Sequence, residues 1–479
     1  MPINILPLLP EIFLAITAMG LLIVGVNGGN HSAPIISIAS AITLAIATLV
    51  LLVIGTKETF VLENMFKIDG FTQFIKLLIL FGLVIVQILA AGSLKDLNME
   101  RFEFPILVTL AGIGMLLMVS ANNMLTLYMG LELQSLSLYV LAAMRRNSLM
   151  AAEAGVKYFT LGALSSGMIL FGISLIYGFT GSLDFSIIAS TLSTWDAAPL
   201  GITFGLVFLL AGLAFKISAV PFHMWTPDVY QGAPTIVTAF FAIVPKIAAF
   251  ALLTRILFEP FFLLNDQWIQ IIYALSLGSM IVGSFAALRQ NDLKRLLAYS
   301  SIGNIGYVLI GLVAGTEQGI SAVLLYLLIY MIMTAGTFGI ILSLKRDEFG
   351  VTKINELSGL SQTSPILAYA LAILMFSMSG IPPLAGFFGK LFIFQSAITE
   401  GYYILAILGI ITSVVAAYYY LRIVKTMFFD EIQDKLTVTL PRTRKVIIGL
   451  SIVFVVLFIT KPSLYIELCT NAATALFTG

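Results

Sequence analysis

The chain has 479 residues, 59% of them hydrophobic and only 10% charged, too little polar surface for a soluble domain, so lipid is expected to be its solvent. With 25 Lys and Arg against 24 Asp and Glu the net charge is +1, which leaves no basic face for nucleic acid. A single cysteine, Cys469, excludes an internal disulfide framework or a Cys-rich metal site, and two histidines far apart in the chain, His31 and His223, do not suggest a haem or metal cluster, so no redox cofactor is expected in this chain.

Only helices and closed barrels satisfy their backbone groups inside a bilayer, and a spanning helix needs about 20 apolar residues. The apolar runs are too long for barrel strands, and about fourteen of them meet the helical criterion. The first, Ile5 to Val26, follows Met1 without a basic segment or a small-residue cleavage pattern and is expected to span rather than to be removed. Then come Ala33 to Ile54, Leu77 to Ala91, Phe104 to Ser120, Met124 to Ala143, Tyr158 to Phe179 and Pro199 to Val220. The second half continues with Pro234 to Phe258, Trp268 to Leu288, Leu296 to Ala314, Ile320 to Leu344, Ile366 to Phe394, Ile404 to Ile423 and Val446 to Thr460. The fold class is therefore an all-α polytopic membrane protein.

Lys and Arg should gather on every second connection. Lys95 and Arg101, Arg145 and Arg146, Arg289 with Lys294 and Arg295, Lys345 with Arg346 and Lys353, and the stretch from Arg422 to Lys445 all fall on one side. The opposite connections, around Asp184 to Asp196, Glu259 to Asp266, Glu317 and Glu400, carry none, and only Lys57, Lys67 and Lys461 break the pattern. Both termini are expected on the non-cytoplasmic side.

Proline removes a backbone donor and clashes with the preceding turn. Pro221 should therefore interrupt the seventh span, and Pro382 with Pro383 the twelfth. Two interruptions five spans apart suit two repeated bundles with ion sites at the breaks. Charged side chains deep in the bilayer each need a partner, water or a function. Four stand out: Glu132 in the fifth span, Lys216 just before the first break, Lys246 after Pro245 in the eighth, and Lys390 after the second break. A buried lysine is pushed toward neutrality and a nearby carboxylate pulls it back, so a Glu132/Lys216 pair would load and unload a proton, with Lys246 next in line and Lys390 as the last site. Arginine, always charged, could not serve. The bland alternative is a static Glu132/Lys216 pair with Lys246 and Lys390 snorkelling to a surface. His223, which could titrate near neutral pH or serve as a structural hydrogen-bonding group, and Lys157, Asp228 and Lys294, which could feed or drain a water path or simply anchor span ends, are weaker candidates, and Arg255 reads as structural.

At these residues the sequence resembles the antiporter-like membrane subunits of respiratory complex I, the NADH-quinone oxidoreductases, and among them the subunit N family whose mitochondrial counterpart is NADH dehydrogenase subunit 2. The likeness is carried by Leu131-Glu132-Leu133-Gln134-Ser135-Leu136, by Phe215-Lys216 with Pro221-Phe222-His223-Met224-Trp225-Thr226-Pro227-Asp228-Val229-Tyr230, by Leu293-Lys294-Arg295-Leu296-Leu297-Ala298-Tyr299-Ser300-Ser301-Ile302-Gly303, and by Gly380-Ile381-Pro382-Pro383-Leu384-Ala385-Gly386-Phe387. A lysine at Lys390 is unlike subunit M, which bears glutamate there. The short stretch after Thr460 is unlike subunit L with its long lateral helix.

The resemblance implies fourteen spans and two inverted five-helix repeats with broken seventh and twelfth helices. The organisation becomes an N-terminal three-helix segment (1–103), a first repeat (104–258), a second repeat (259–426), and a C-terminal loop with the last helix (427–479). It implies proton pumping coupled to quinone reduction elsewhere in the complex, through Glu132, Lys216, Lys246 and Lys390. NADH, FMN, iron–sulfur clusters and quinone belong to partner subunits, and the neighbours are membrane-arm subunits, among them subunit M, with small subunits and lipid. The membrane is a bacterial cytoplasmic or mitochondrial inner one. Asn304 stands where relatives often bear histidine, which suggests a water chain there. Two other readings remain: a subunit of a multisubunit cation/proton antiporter, and a scaffold whose charges only dock neighbours.

Overall fold

The computed structural model describes residues 5–477 apart from 56, 97–98, 196, 347–348 and 434–435, so Asp196 lies outside the described residues. Twelve apolar helical stretches among the described residues are long enough to cross a bilayer. The first of them, Leu6–Ile54, is two helices, Leu9–Gly28 and Ala33–Ile54, folded back at a 3-10 turn over Gly29–Ser32. The twelfth span, broken into Pro365–Ser379 and Ala385–Thr399, crosses as well, which makes fourteen crossings.

Several helices start where the sequence supplies an acceptor for their unpaired first amides. Asp69 caps the third span (Thr72 N to Oδ1, 2.7 Å), Asn123 the fifth and Asp292 the tenth. The third span therefore begins at Gly70, seven residues before the apolar run, and carries Gln73 and Lys76 into the membrane. The sixth begins at Leu149 after its Ser148 cap. After Thr460 a further helix, Pro462–Phe477, packs against the third and eleventh spans, with Thr474 donating to Glu317 (2.5 Å) and Phe477 meeting Phe258 at the end of the eighth.

Small residues let the spans approach closely. A Cβ on Gly114 would lie 2.6 Å from Gly130 O between the fourth and fifth spans, and one on Gly283 would lie 2.9 Å from Tyr299 O between the ninth and tenth. The first two spans turn much of their surface outward, whereas the eighth (Thr235–Ile243 and Pro245–Phe258) is buried along its length and the tenth (Leu293–Val313) nearly so. These two form the centre of the molecule. One end carries a short sheet in which Leu344–Arg346 pairs with Phe349–Gly350 and Leu436–Val438; the other carries the hairpin Thr59–Val61 with Phe66–Ile68. Lys67, an apparent exception to the charge pattern, is buried in that hairpin and faces Glu259 (3.2 Å) and Glu58 (3.3 Å), so it presents little net charge.

Candidate functional site

The seventh span runs as a helix from Leu200 to Ile217, leaves helical geometry at Ser218 (φ 66°), passes the cis Val220–Pro221 bond and resumes at Trp225–Gly232. Lys216 thus occupies the last turn of a half-helix, where unpaired carbonyls favour a cation. Its amine donates to Ser135 Oγ (2.9 Å), Tyr139 OH (3.4 Å) and Ser166 Oγ (3.4 Å). Ser135 and Tyr139 share a face of the fifth span with Glu132, three and seven residues on. Glu132 itself makes no ion pair among the described residues, and its Oε1 is buried without a hydrogen-bond partner. The direct Glu132/Lys216 contact expected from the sequence is not formed; Ser135, one turn along the fifth span, holds the amine instead.

From this amine an aromatic row leads inward. Tyr139 meets Tyr158 edge-on, Tyr158 stacks on Trp225 (4.4 Å, 9°), and Trp225 approaches Tyr230. Trp225 is fixed by its indole N–H to Phe215 O (3.0 Å). Lys246, 4% exposed, lies 5.3 Å above the Tyr230 ring and donates to Ser301 Oγ. Pro245 sets it there by starting a fresh helix after the interruption at Val244.

Ser301 opens a polar rail along the tenth span. Ser300 Oγ and Tyr420 OH are 2.5 Å apart, and Tyr326 OH donates to Asn304 Oδ1 (2.8 Å). Tyr307, one turn on, faces Lys390, whose amine lies 5.0 Å above its ring. Lys390 is 5% exposed and donates to Ser413 Oγ (2.8 Å) and to Ser379 O (3.0 Å), a carbonyl released by the second break. Gly380 (φ 88°) and the cis Pro382–Pro383 bond shape that break. A cavity of about 670 Å³, lined by Ser379, Gly380, Ser413 and Gln395 among others, opens beside the amine. Neither Lys246 nor Lys390 reaches a surface by snorkelling.

The weaker candidates separate. Asp228 is clamped between Lys157 (2.7 Å) and Arg295 (2.6 Å), joining three helices, with Glu153 also on Lys157. His223 stands beside the first break with Nδ1 buried and unpartnered. Lys294 is 6% exposed, donates to Ala233 O (2.7 Å) and lines a cavity of about 390 Å³ at the cation-rich end. Between Lys294 and Ser301 on the tenth span, a void of about 10 Å³ touches Ser300, Tyr330, Thr334 and Thr337, room for about one water.

Two buried charge clusters have pairings that the sequence does not show, one of them around Arg255, which reads there as structural. Arg255 grips both oxygens of Asp69 (2.9 Å each), Thr72 and Glu259 (2.6 Å). Burial alone would raise the Asp69 carboxyl; the Arg255 charge and the Thr72 amide and hydroxyl outweigh it and hold the carboxyl below its ordinary value. Glu11 and Lys76 form a second pair, in direct contact and with no other hydrogen-bond partner. The apolar run starting at Leu77 set Lys76 at a helix end, and only contact across the fold reveals its acid. Among the described residues no group of three or more His, Cys, Asp or Glu stands together to hold a metal ion.

Residues 121–416 match the family described as NADH:quinone oxidoreductase/Mrp antiporter, TM. The chain is 50% identical to NADH-quinone oxidoreductase subunit N of Parvibaculum lavamentivorans, over 98% of this chain and 97% of the relative. It is 49% identical to that of Rhodospirillum rubrum, over 98% and 97%. Among solved structures it is similar to a chain of respiratory complex I from Thermus thermophilus with bound aureothin (33% identity, TM-score 0.82, 96% of this chain and 99% of that one). A chain of the Mrp complex from Dietzia has the same fold at 20% identity (TM-score 0.86, 99% and 98%). With about half its residues shared over nearly its full length, the chain belongs to the subunit N family of NADH-quinone oxidoreductase, a branch of the antiporter-like membrane proteins.

Proposed function

We infer that this chain moves protons across the membrane as a membrane-arm subunit of NADH-quinone oxidoreductase, with the redox chemistry of NADH, FMN, iron–sulfur clusters and quinone carried by partner subunits. The observation that carries the reading is the chemistry of the partners around three amines, two buried (Lys246 and Lys390) and one half-buried (Lys216). Lys216, Lys246 and Lys390 are held by Ser135, Tyr139, Ser166, Ser301 and Ser413, all hydroxyls, with one backbone carbonyl. A hydroxyl accepts from an ammonium and donates to a neutral amine. Each lysine can therefore lose its proton without leaving a buried partner unsatisfied.

Glu132 is the movable charge in this reading. Its unpartnered carboxylate shares a face with the hydroxyls of Lys216, and a change in its position or charge alters the balance between ammonium and amine. Protons enter from the cation-rich side past Lys294 and the small void to Lys246, pass along Ser300, Tyr420 and Asn304 with intervening water, and leave from Lys390 through the cavity at its side. Asn304 serves as a water-ordering group rather than a titrating one. The two repeats, 104–258 and 259–426, each contribute one break. Other antiporter-like subunits, subunit M among them, and small membrane subunits are the proposed neighbours.

The test is Lys216→Ala and Glu132→Ala in the assembled complex, with proton uptake and quinone reductase rate measured in proteoliposomes. Both variants are expected to assemble and to move fewer protons per quinone reduced. Wild-type values in both remove the two residues from the mechanism, and failure to assemble supports a scaffold role. A subunit of a cation/proton antiporter shares the fold, and co-purification separates the two: flavin- and iron–sulfur-bearing partners support the redox-driven pump.

A further inference from the structure

We propose that the 390 Å³ cavity at the cytoplasmic end is a binding site for a phosphate-class oxyanion. It lies where the tenth span begins, beside the 232–235 junction and the short sheet. Arg145, Lys294, Lys345 and Lys353 line it against a single carboxylate, Asp292. That carboxylate is already engaged as the cap of the tenth span, accepting from Arg295 N (2.9 Å). Lys294 is nine-tenths buried, and its amine meets only the Ala233 carbonyl. Among the described residues no carboxylate comes within ion-pair distance of Arg145, Lys294 or Lys353. Arg145, Lys294 and Lys353 alone outnumber the acid three to one.

A buried ammonium that makes no ion pair, with one helix-capping carboxylate in a lining of several cations, is costly in a partly enclosed cavity, and an anion there offsets the cost through charge-assisted hydrogen bonds. The Ser148 and Thr235 hydroxyls, also in the lining, add neutral donors. A tetrahedral oxyanion presents several oxygens to donors converging from different directions, which suits this lining better than a single carboxylate does. Basic pockets on the cytoplasmic side of membrane helices accept lipid headgroups, and free phosphate offers the same chemistry. A filled site also offsets the positive field over Lys294, so that the proposed proton entrance is not itself a barrier; that consequence alone rests on the proposed function.

The experiment follows acylation of the Lys353 amine by an amine-reactive reagent, mapped by peptide mass spectrometry on the intact complex. Three conditions of equal ionic strength are compared: phosphatidylcholine vesicles in chloride, the same vesicles with inorganic phosphate, and vesicles of phosphatidylcholine with cardiolipin in chloride. Acylation is expected to slow by up to about tenfold where the anion stands at ten times its Kd, since only about a tenth of sites then stay empty. Slowing with phosphate assigns the site to the free ion; slowing with cardiolipin alone assigns it to a headgroup. In either case Arg145→Gln, with quinone reductase activity retained as the check on folding, is expected to weaken the protection. Equal acylation in all three conditions, or protection unchanged by Arg145→Gln, overturns the proposal. Because the readout is amine reactivity, its failure leaves the proton path untouched, and the reverse holds.

Discussion

Lys216, Lys246 and Lys390, within the spans, rest on hydroxyls and one backbone carbonyl, whereas Arg255, Lys67 and Lys76, around the start of the third span, rest on carboxylates. All of these cations are buried except Lys216, which is half-buried. A carboxylate partner fixes a cation, because removing either charge strands the other in a poorly polarisable surround. A hydroxyl partner does not, because it reverses its role as the amine changes state. The molecule thus keeps a rigid ionic clamp beside a row of cations held by neutral partners, the row to which the proposed function assigns proton exchange.

Removing one side of the clamp should cost most. Arg255→Leu strands Asp69 and is expected to lower stability by about 3–5 kcal/mol, read as lost assembled complex in membranes; assembly at wild-type level would count against a structural clamp. Because Asp69 titrates below its ordinary value, its contribution is complete above the ordinary carboxylate pKa and fades only as pH falls through the lowered one. Clamp-dependent assembly should therefore be flat across neutral pH.

Lys76→Met leaves Glu11 buried alone and should cost a similar about 3–5 kcal/mol, but adding Glu11→Leu should recover most of it. Thermal unfolding of the two variants decides this. A double variant as damaged as the single one would mean that the pair does more than neutralise itself, and would bring it closer to the lysine row.

At the breaks the expected effects are smaller. Gly380→Ala forces a left-handed backbone on alanine and brings its Cβ to 3.0 Å from Lys390 Cδ, about 1–2 kcal/mol with a shifted amine. Ser218→Gly, at the corresponding position of the first break, should be neutral or slightly stabilising. Ser135→Ala removes one of three hydroxyls from Lys216 and should cost about 1 kcal/mol, measured as partial loss of protons moved per quinone reduced.

Much of this was legible in the sequence because bilayer physics writes itself into hydropathy and proline placement. The crossings, the breaks at Pro221 and Pro382–Pro383 and the four intramembrane charges could all be read residue by residue. What escaped was pairing across the fold. Glu11 and Lys76 are 65 positions apart in separate spans, and Asp69 and Arg255 are 186 apart. Nothing in a hydropathy window signals such partners, and a lone charge near a helix end looks like an anchor. The hydroxyls that hold the lysines escaped for a related reason: serine and tyrosine are ordinary in spanning helices, and only geometry selects Ser135, Ser166, Ser301 and Ser413 from the rest. The Pro462–Phe477 helix was missed because Glu467 and Asn471 dilute its apolar character.

In the proposed function the lysine row moves protons only if its amines can become neutral, a capacity that Lys390→Arg removes. A guanidinium fits beside the 670 Å³ cavity and remains charged at every working pH. In proteoliposomes holding the intact complex, the variant is expected to assemble, to retain quinone reduction at least in part, and to move fewer protons per quinone reduced. Wild-type proton yield with arginine in that position would contradict the account.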